Sequence, residues 1–284
     1  MIDLAAHRHR ATDPARDFCL WPYERPSPPG RDALRTSALL WHSFEVAGNS
    51  HRMIPLVEAI RAAFGRFATV WGLKWDGRAL SWEFYFYDYR REQRRRNIAD
   101  FLGATADVLP TSLGAPDHVP YFMFSVEVDG QAEPLDQIDL YIGNPGSTVS
   151  SGICYGWTGQ AMELRNFYFF FDAVEEAGAI RAKLTESAHM PGEPEDLTPW
   201  LWPQVQAQTI VVANKRQRDG VYFSRIGVDD LMFCVDRLAY PEPIRAFLTR
   251  HRDALAHHLY DVGWDWEWRD GAPVPVKGSF YGLL

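Results

Sequence analysis

Lysine is nearly absent from this chain. Among its 284 residues only Lys74, Lys183, Lys215 and Lys277 occur, and the other basic residues are arginine. Cysteine is scarce as well: Cys19, Cys154 and Cys234 stand far apart. Their spacing matches neither a zinc site nor a redox pair, which excludes both as organising features. An odd number of thiols and no N-terminal apolar segment point to a reducing, cytoplasmic setting. No run of eighteen or more apolar residues is present, so no transmembrane helix is expected. A basic excess is missing too. The formal net charge is −8, and the one dense basic run, RREQRRR at 90–96, reads as a solvated helix start. Neither nucleic acid nor membrane is an expected partner.

What the chain has is aromatic side chains in extended runs. Hydrophobic residues make up 46% and aromatic residues 14%, enough for a sizeable core and an aromatic-walled pocket. Residues 1–35, with RPSPPG at 25–30, read as an irregular arm. Residues 36–284 read as a single domain, because no linker divides them. The segment 36–47, TSALLWHSFEVA, is expected to be an extra strand.

A rhythm then sets in. Met53, Leu56, Val57, Ile60 and Phe64 share one helical face over 51–66. Strands follow at 67–75 and 79–89, joined at Asp76-Gly77, a strong hairpin signal. A helix is expected at 91–103. Strand pairs follow at 119–128 with 136–143 and at 151–158 with 162–171, then a helix at 172–187. The Pro-rich stretch 191–203 leads to strands at 206–215 and 220–227, turning at Asp219-Gly220. Helices at 229–239, capped by Asp229, and at 242–260 precede a last pair, 262–269 with 273–283, turning at Asp270-Gly271. About ten antiparallel strands in five hairpins must close or cover their edges. The expected fold is α+β: a closed antiparallel barrel with helices outside.

Side chains alternate faces along a strand. Between Trp82 and Phe84 lies one carboxylate, Glu83. With a two-residue turn at Asp76-Gly77, Val70 would lie opposite Glu83 and Gly72 opposite Ser81. Glu83 then shares a face with Lys74, Gly72 and Tyr85, while Trp71, Leu73, Trp82 and Phe84 face the helices. The same split sets Glu127, Asp139, Tyr141, Tyr222, Asp265, Glu267, Lys277 and Tyr281 on the polar-aromatic side. An isolated buried glutamate is costly, and Lys74 is the nearest partner for a structural ion pair.

Helix–hairpin units around a polar lumen resemble the ABBA-type aromatic prenyltransferases. The resemblance rests on topology over about 51–284, with local echoes in WEFYF at 82–86, NKRQRDGVYFS at 214–224 and KGSFYG at 277–282. It implies transfer of an isoprenyl group from a prenyl diphosphate to an acceptor, a small molecule or peptide with an aromatic, amine or guanidine group. It implies Glu83 as the acidic catalytic group, serving the acceptor or a magnesium ion. It implies Lys74, Lys215 and Lys277 as diphosphate partners and Tyr85, Tyr141, Tyr222 and Tyr281 as cation shields. The lumen read from the sequence is acidic, with Glu83, Glu127, Asp139, Asp265 and Glu267 against Lys74 and Lys277. Such a lumen repels a diphosphate unless magnesium or Arg165 and Arg225 intervene, and it suits a cation or amine. The alternative is a non-catalytic barrel that binds an aromatic or cationic small molecule.

Other constellations carry less. His251, His257 and His258 fall on one expected helix but lack an acidic ligand at zinc spacing. Cys234 sits with Leu231, Val235 and Leu238 on a core face. NPGSTVSSG at 144–152 lacks the phosphate-loop pattern and reads as a connection. Trp264, Trp266 and Trp268 alternate on one face and read as helix-facing core.

Overall fold

The structure is a computed structural model that describes the whole chain except residues 1, 91–93, 117, 131–133, 145 and 193. Alternation of apolar and polar residues produces ten strands: β1 (Thr69–Trp75), β2 (Leu80–Tyr87), β3 (Met123–Asp129), β4 (Ile138–Gly143), β5 (Ser151–Trp157), β6 (Met162–Asp172), β7 (Thr209–Lys215), β8 (Asp219–Ile226), β9 (Tyr260–Arg269) and β10 (Ala272–Leu283). Each pairs antiparallel with the next, and β10 pairs with β1 from Val70↔Leu283 to Trp75↔Gly278. The result is the expected closed ten-stranded α+β barrel, with no sheet edge left to protect. All five hairpin turns lie at one end. The other end carries the helical connections and the N-terminal arm.

The helices are α1 (Ser37–Val46), α2 (Ser50–Phe64), α3 (Ile98–Thr105), α4 (Ala177–Thr185), α5 (Val228–Arg237), α6 (Glu242–Arg250) and α7 (Arg252–Leu255). They cover the outward side chains of the strands, where Trp71, Trp82, Phe84, Trp264 and Trp266 are fully buried. Among the described residues no helix separates β3–β4 from β5–β6. The outside of β6 accordingly keeps Met162 at 37% and Leu164 at 42% exposure. From the Pro-rich connector, Trp202 stacks on Trp264 at 4.9 Å and Trp200 stacks on Trp268 at 5.8 Å. The alternating tryptophans are therefore outer core, not pocket.

Several local expectations change. Residues 36–47 form α1, because ten closed strands leave no edge for another. Ser43 ties this helix to the barrel by accepting from the Trp82 indole at 2.8 Å. At Asp76 the carboxylate accepts from the backbone N–H of Arg78 and Ala79 at 2.8 and 2.9 Å. That Asx arrangement opens a four-residue loop, so Trp75 faces Leu80 and Gly72 faces Glu83. The two-residue shift keeps every side chain on its expected face. Asp219-Gly220 lies inside β8 instead of in the turn; the buried Asp219 carboxylate accepts from Lys215 N–H at 2.8 Å and closes the loop from within. Asp270 and Gly271, with φ of 51° and 82°, form the expected turn.

The helix at 91–103 begins only at Ile98, capped by the Asn97 side chain, which accepts from Asp100 N–H; residues 91–93 of the expectation lie outside the described residues. α4 is shorter than 172–187. The expected 242–260 helix breaks at His251, and by Tyr260 the chain is strand, so the three histidines do not share a helix face. Asp229 sits in the first turn of α5, behind the cap residue Gly227, and pairs with Arg252 at 2.6 Å.

The arm contains one short 3-10 turn, Leu4–His7, and is fastened by charge. Arg35 holds Asp13 through two hydrogen bonds of 2.6 and 3.1 Å. Asp17 accepts from Cys19 N–H and Trp21 N–H, both at 2.9 Å, and pairs with Arg225 at 2.8 Å. Phe18 thereby packs against Tyr281 at 5.7 Å, and Cys19 is buried beside the upper lumen residues.

Removing the connector's anchor is expected to be costly. Trp202→Ala empties a fully buried aromatic site and should destabilise the fold by about 3–5 kcal/mol. Urea unfolding would read this as a lower midpoint at unchanged slope; a loss below about 1 kcal/mol would remove the connector from the core.

Candidate functional site

The polar-aromatic faces of the ten strands enclose a cavity of about 740 Å³. Glu83 is 3% exposed and lies on its wall. One carboxylate oxygen accepts from the Ser125 hydroxyl at 2.5 Å, the other from the Tyr85 hydroxyl at 2.5 Å, and the Lys74 ammonium pairs with it. The expected ion pair is present, and Glu83 is held from three strands, β1, β2 and β3. Burial works against the charge on Lys74, but Glu127 and Glu83 hold its pKa well above the usual lysine value.

Around this anchor the lumen is layered. Toward the hairpin turns lie the charges. Glu127 pairs with Lys74 at 2.7 Å and with Lys277 at 3.2 Å, and accepts from Ser81 at 2.8 Å. Burial raises its pKa, yet the two ammonium groups outweigh burial and hold it well below the ordinary range. The Lys74 charge, followed by burial, lowers the pKa of Lys277. Lys215 donates to Asp265 at 2.5 Å and to the Tyr222 hydroxyl at 3.1 Å.

Farther along the lumen five tyrosines form a closed belt. Successive ring centroids are 6.4 Å for Tyr85–Tyr141, 6.0 Å for Tyr141–Tyr168, 6.2 Å for Tyr168–Tyr222, 6.5 Å for Tyr222–Tyr281 and 5.8 Å for Tyr281–Tyr85. One comes from the second strand of each hairpin. Space for them is built into the backbone: a Cβ on Gly263 would sit 2.2 Å from the Tyr222 ring. Beyond the belt, Phe18, Cys19 and Trp21 of the arm line the cavity mouth, with Trp21 55% exposed.

The sequence-derived set is brought together with two exceptions. Glu267 lies near the β9–β10 turn, bonded to Arg269 at 2.5 Å, and is not part of the cavity wall. Its strand outruns the enclosed part of the barrel. Arg225, at φ 58° in a bulge of β8, turns toward the arm and Asp17 and also lies outside the wall. One belt residue was missed: Tyr168 completes it. Lys215 and Arg165, both expected near a diphosphate, bring the lumen cations to four with Lys74 and Lys277, against Glu83, Glu127, Asp139 and Asp265, with Asp172 exposed at the rim. The interior is therefore close to charge balance, not strongly acidic. A register shift between Cys154 and Tyr155 of β5 makes Arg165 the extra residue of a bulge in β6, which aims it inward. An added Cβ on Gly156 would meet Arg165 Nε at 2.7 Å, so glycine leaves its space open.

The lumen does not fit a resident magnesium ion. Among the described residues no three His, Cys, Asp or Glu side chains converge. Between Glu83 and Glu127 the Lys74 ammonium already occupies the cation position. No described helix is long and apolar enough to cross a membrane. No protein-family model and no curated protein sequence matches the chain.

The latch of the arm generates a pH prediction. Asp261 accepts from Arg225 N–H and Phe18 N–H at 3.2 and 3.4 Å, and burial followed by the neighbouring Asp17 charge pushes its pKa up to about 7, against hydrogen bonds that lower it. The unfolded chain releases this proton nearer the ordinary aspartate value, so the folded state binds more protons between about pH 4 and 7. Stability is lost as pH rises through that window, by up to about 1.4 kcal/mol per pH unit. In melting curves from pH 4 to 8, Asp261→Asn should gain on the native chain as pH rises; a pH-independent difference would refute the linkage.

Proposed function

We propose that the barrel transfers an isoprenyl group from a prenyl diphosphate to an aromatic or amine- or guanidine-bearing acceptor held in its lumen. The observation that carries this reading is the closed tyrosine belt beside an anchored carboxylate. Its five rings are in continuous contact and line the cavity of about 740 Å³. Aromatic faces stabilise a developing allylic cation, and enclosure keeps water from capturing it. On the hairpin side, Arg165, Lys215 and Lys277 offer positive charge to a departing diphosphate.

The reaction balances without a further reagent. The bond from C1 of the prenyl chain to the diphosphate oxygen breaks, and its electron pair leaves on the diphosphate. The acceptor attacks C1, and its displaced proton passes to Glu83. Ser125 and Tyr85 fix that carboxylate in place, and a positioned base of this kind contributes roughly 10²–10⁴-fold.

A second reading is favoured by one observation: Lys74, Lys215 and Lys277 are each already paired with a lumen carboxylate. A barrel with its charges compensated in this way suits a non-catalytic carrier of an aromatic or cationic small molecule.

Dimethylallyl diphosphate and a panel of phenols, indoles, amines and guanidines, followed by mass spectrometry, separate the two. Transfer predicts an added isoprenyl mass, lost about 10²-fold or more in Glu83→Gln, with diphosphate binding retained. It also predicts a raised KM for the diphosphate in Lys215→Ala. No product with any acceptor, and no thermal shift with the diphosphate, would leave the carrier reading.

A further inference from the structure

On the hairpin side of the lumen Glu83, Glu127 and Asp265 each have a lysine partner. Asp139 does not. Among the described residues its hydrogen-bond partner is the Gln137 amide, which donates to Oδ1 at 2.6 Å, and it makes no ion pair. Arg165 is the counterpart. It faces the same cavity, its Nε is buried with no hydrogen-bond partner, and it makes no ion pair among the described residues. The two charges flank one glycine: Asp139 pairs across the sheet with Gly156, and Arg165 crowds the missing Cβ of Gly156 from the other side. The Gln137 amide that bonds Asp139 shares this space, with its Cδ 3.0 Å from the same Cβ position, and Asp139 and Arg165 make no ion pair with each other.

Leaving a carboxylate partly buried beside another carboxylate is costly unless a positive group is supplied. No cation pairs directly with Asp139 among the described residues; Lys74 and Arg165 act on it only through space. We infer that Asp139 is the counter-ion for a positively charged amine or guanidinium on the molecule that enters the lumen, and so sets the acceptor class. The unpaired Arg165 beside it then receives an anionic group, and opposite charges on two ligands meet opposite charges on the wall. A neutral phenol or indole would leave Asp139 unmatched. The choice of acceptor rests on the transfer reading, but the recognition of a cation at Asp139 does not.

Burial, followed by the Glu83 charge, pushes the Asp139 carboxyl up to about 6, with Lys74, the Gln137 hydrogen bond and Arg165 opposing. The groups facing it are Lys74 on β1, Glu83 on β2, Ser125 on β3, Tyr141 on its own strand, Cys154 on β5 and Arg165 on β6. Of these, burial raises the Tyr141 and Cys154 pKa values, and the neighbouring carboxylates raise that of Lys74 against burial, so none of the three changes charge near pH 6. Protonation of Asp139 should therefore weaken cation binding below pH 6, and ionisation should restore it above.

Isothermal titration of the full chain with agmatine, tyramine and indole tests this without turnover. At pH 7.5 agmatine or tyramine should bind the native chain. Their affinity should fall at least about tenfold in Asp139→Asn, as for loss of a charge-assisted hydrogen bond, while indole binding changes less than twofold. Lowering the pH to 5 should weaken the amines in the native chain and leave Asp139→Asn unchanged. Equal amine affinity in the two proteins, or no amine binding to the native chain, would overturn the assignment. The native pH series decides the matter even if the variant folds poorly. Amine binding without any prenylated product would retain Asp139 as the cation site and reject only the transfer reading.

Discussion

Closure of the sheet between β1 and β10 is the constraint on which the rest depends. Once Val70 to Trp75 pair with Gly278 to Leu283, no strand has a free edge, and alternation can place a side chain in only two environments. Outward residues must suit a helix, and inward residues must suit a shared interior. Trp71, Trp82 and Trp264 satisfy the first condition, and Glu83, Lys74 and Tyr85 satisfy the second. Charge in a polar interior of this kind is costly unless it is matched. The lysines do that work: Lys74 serves two carboxylates, Lys277 supports one of them, and Lys215 matches Asp265. A chain with four lysines thus places three of them inside its barrel.

The same closure explains which features were legible in advance. Face assignment needs only period two, so Glu83 and the inward tyrosines on β2, β4, β8 and β10 follow from residue alternation alone. It survived the wrong turn at Asp76 because a register shift of two residues preserves faces. Bulges break that logic. Arg165 and Arg225 both sit at bulges, and they go opposite ways, one into the lumen and one toward the arm. Nothing in period two distinguishes them. Tyr168, within FYFFF on the bulged strand, was lost for the same reason. Glu267 has the right parity, but its strand extends past the enclosed volume, and parity carries no information about depth.

The arm shows another limit of local pattern. Its prolines and charged residues carry no periodicity, so its place could not be read from residues 1–35 alone. Contacts that seat it reach more than two hundred residues away in sequence: Arg225 and Asp261 receive Asp17 and Phe18. Electrostatics accounts for the geometry. Asp17 uses one carboxylate oxygen to turn its own loop and the other to grip Arg225, so one side chain both shapes and docks the segment.

Two kinds of polar group therefore occupy this interior. Glu83, Glu127 and Asp265 are compensated, and their pairing lets the barrel hold charge without a ligand. Asp139 and Arg165 are not, although they flank the same glycine. If stability alone governed the lumen, the cheapest arrangement would join these two in a direct pair, as the lysines join the others. A bulge and a glycine instead leave one charge of each sign facing open volume, next to the anchored Glu83 and short of the tyrosine belt. On the reading proposed above, that residual polarity is matched by a ligand, or a pair of ligands, with both a positive and a negative end. Under that proposal, uncompensated charge, more than the size of the cavity, is what would separate this lumen from a plugged or merely hydrated barrel.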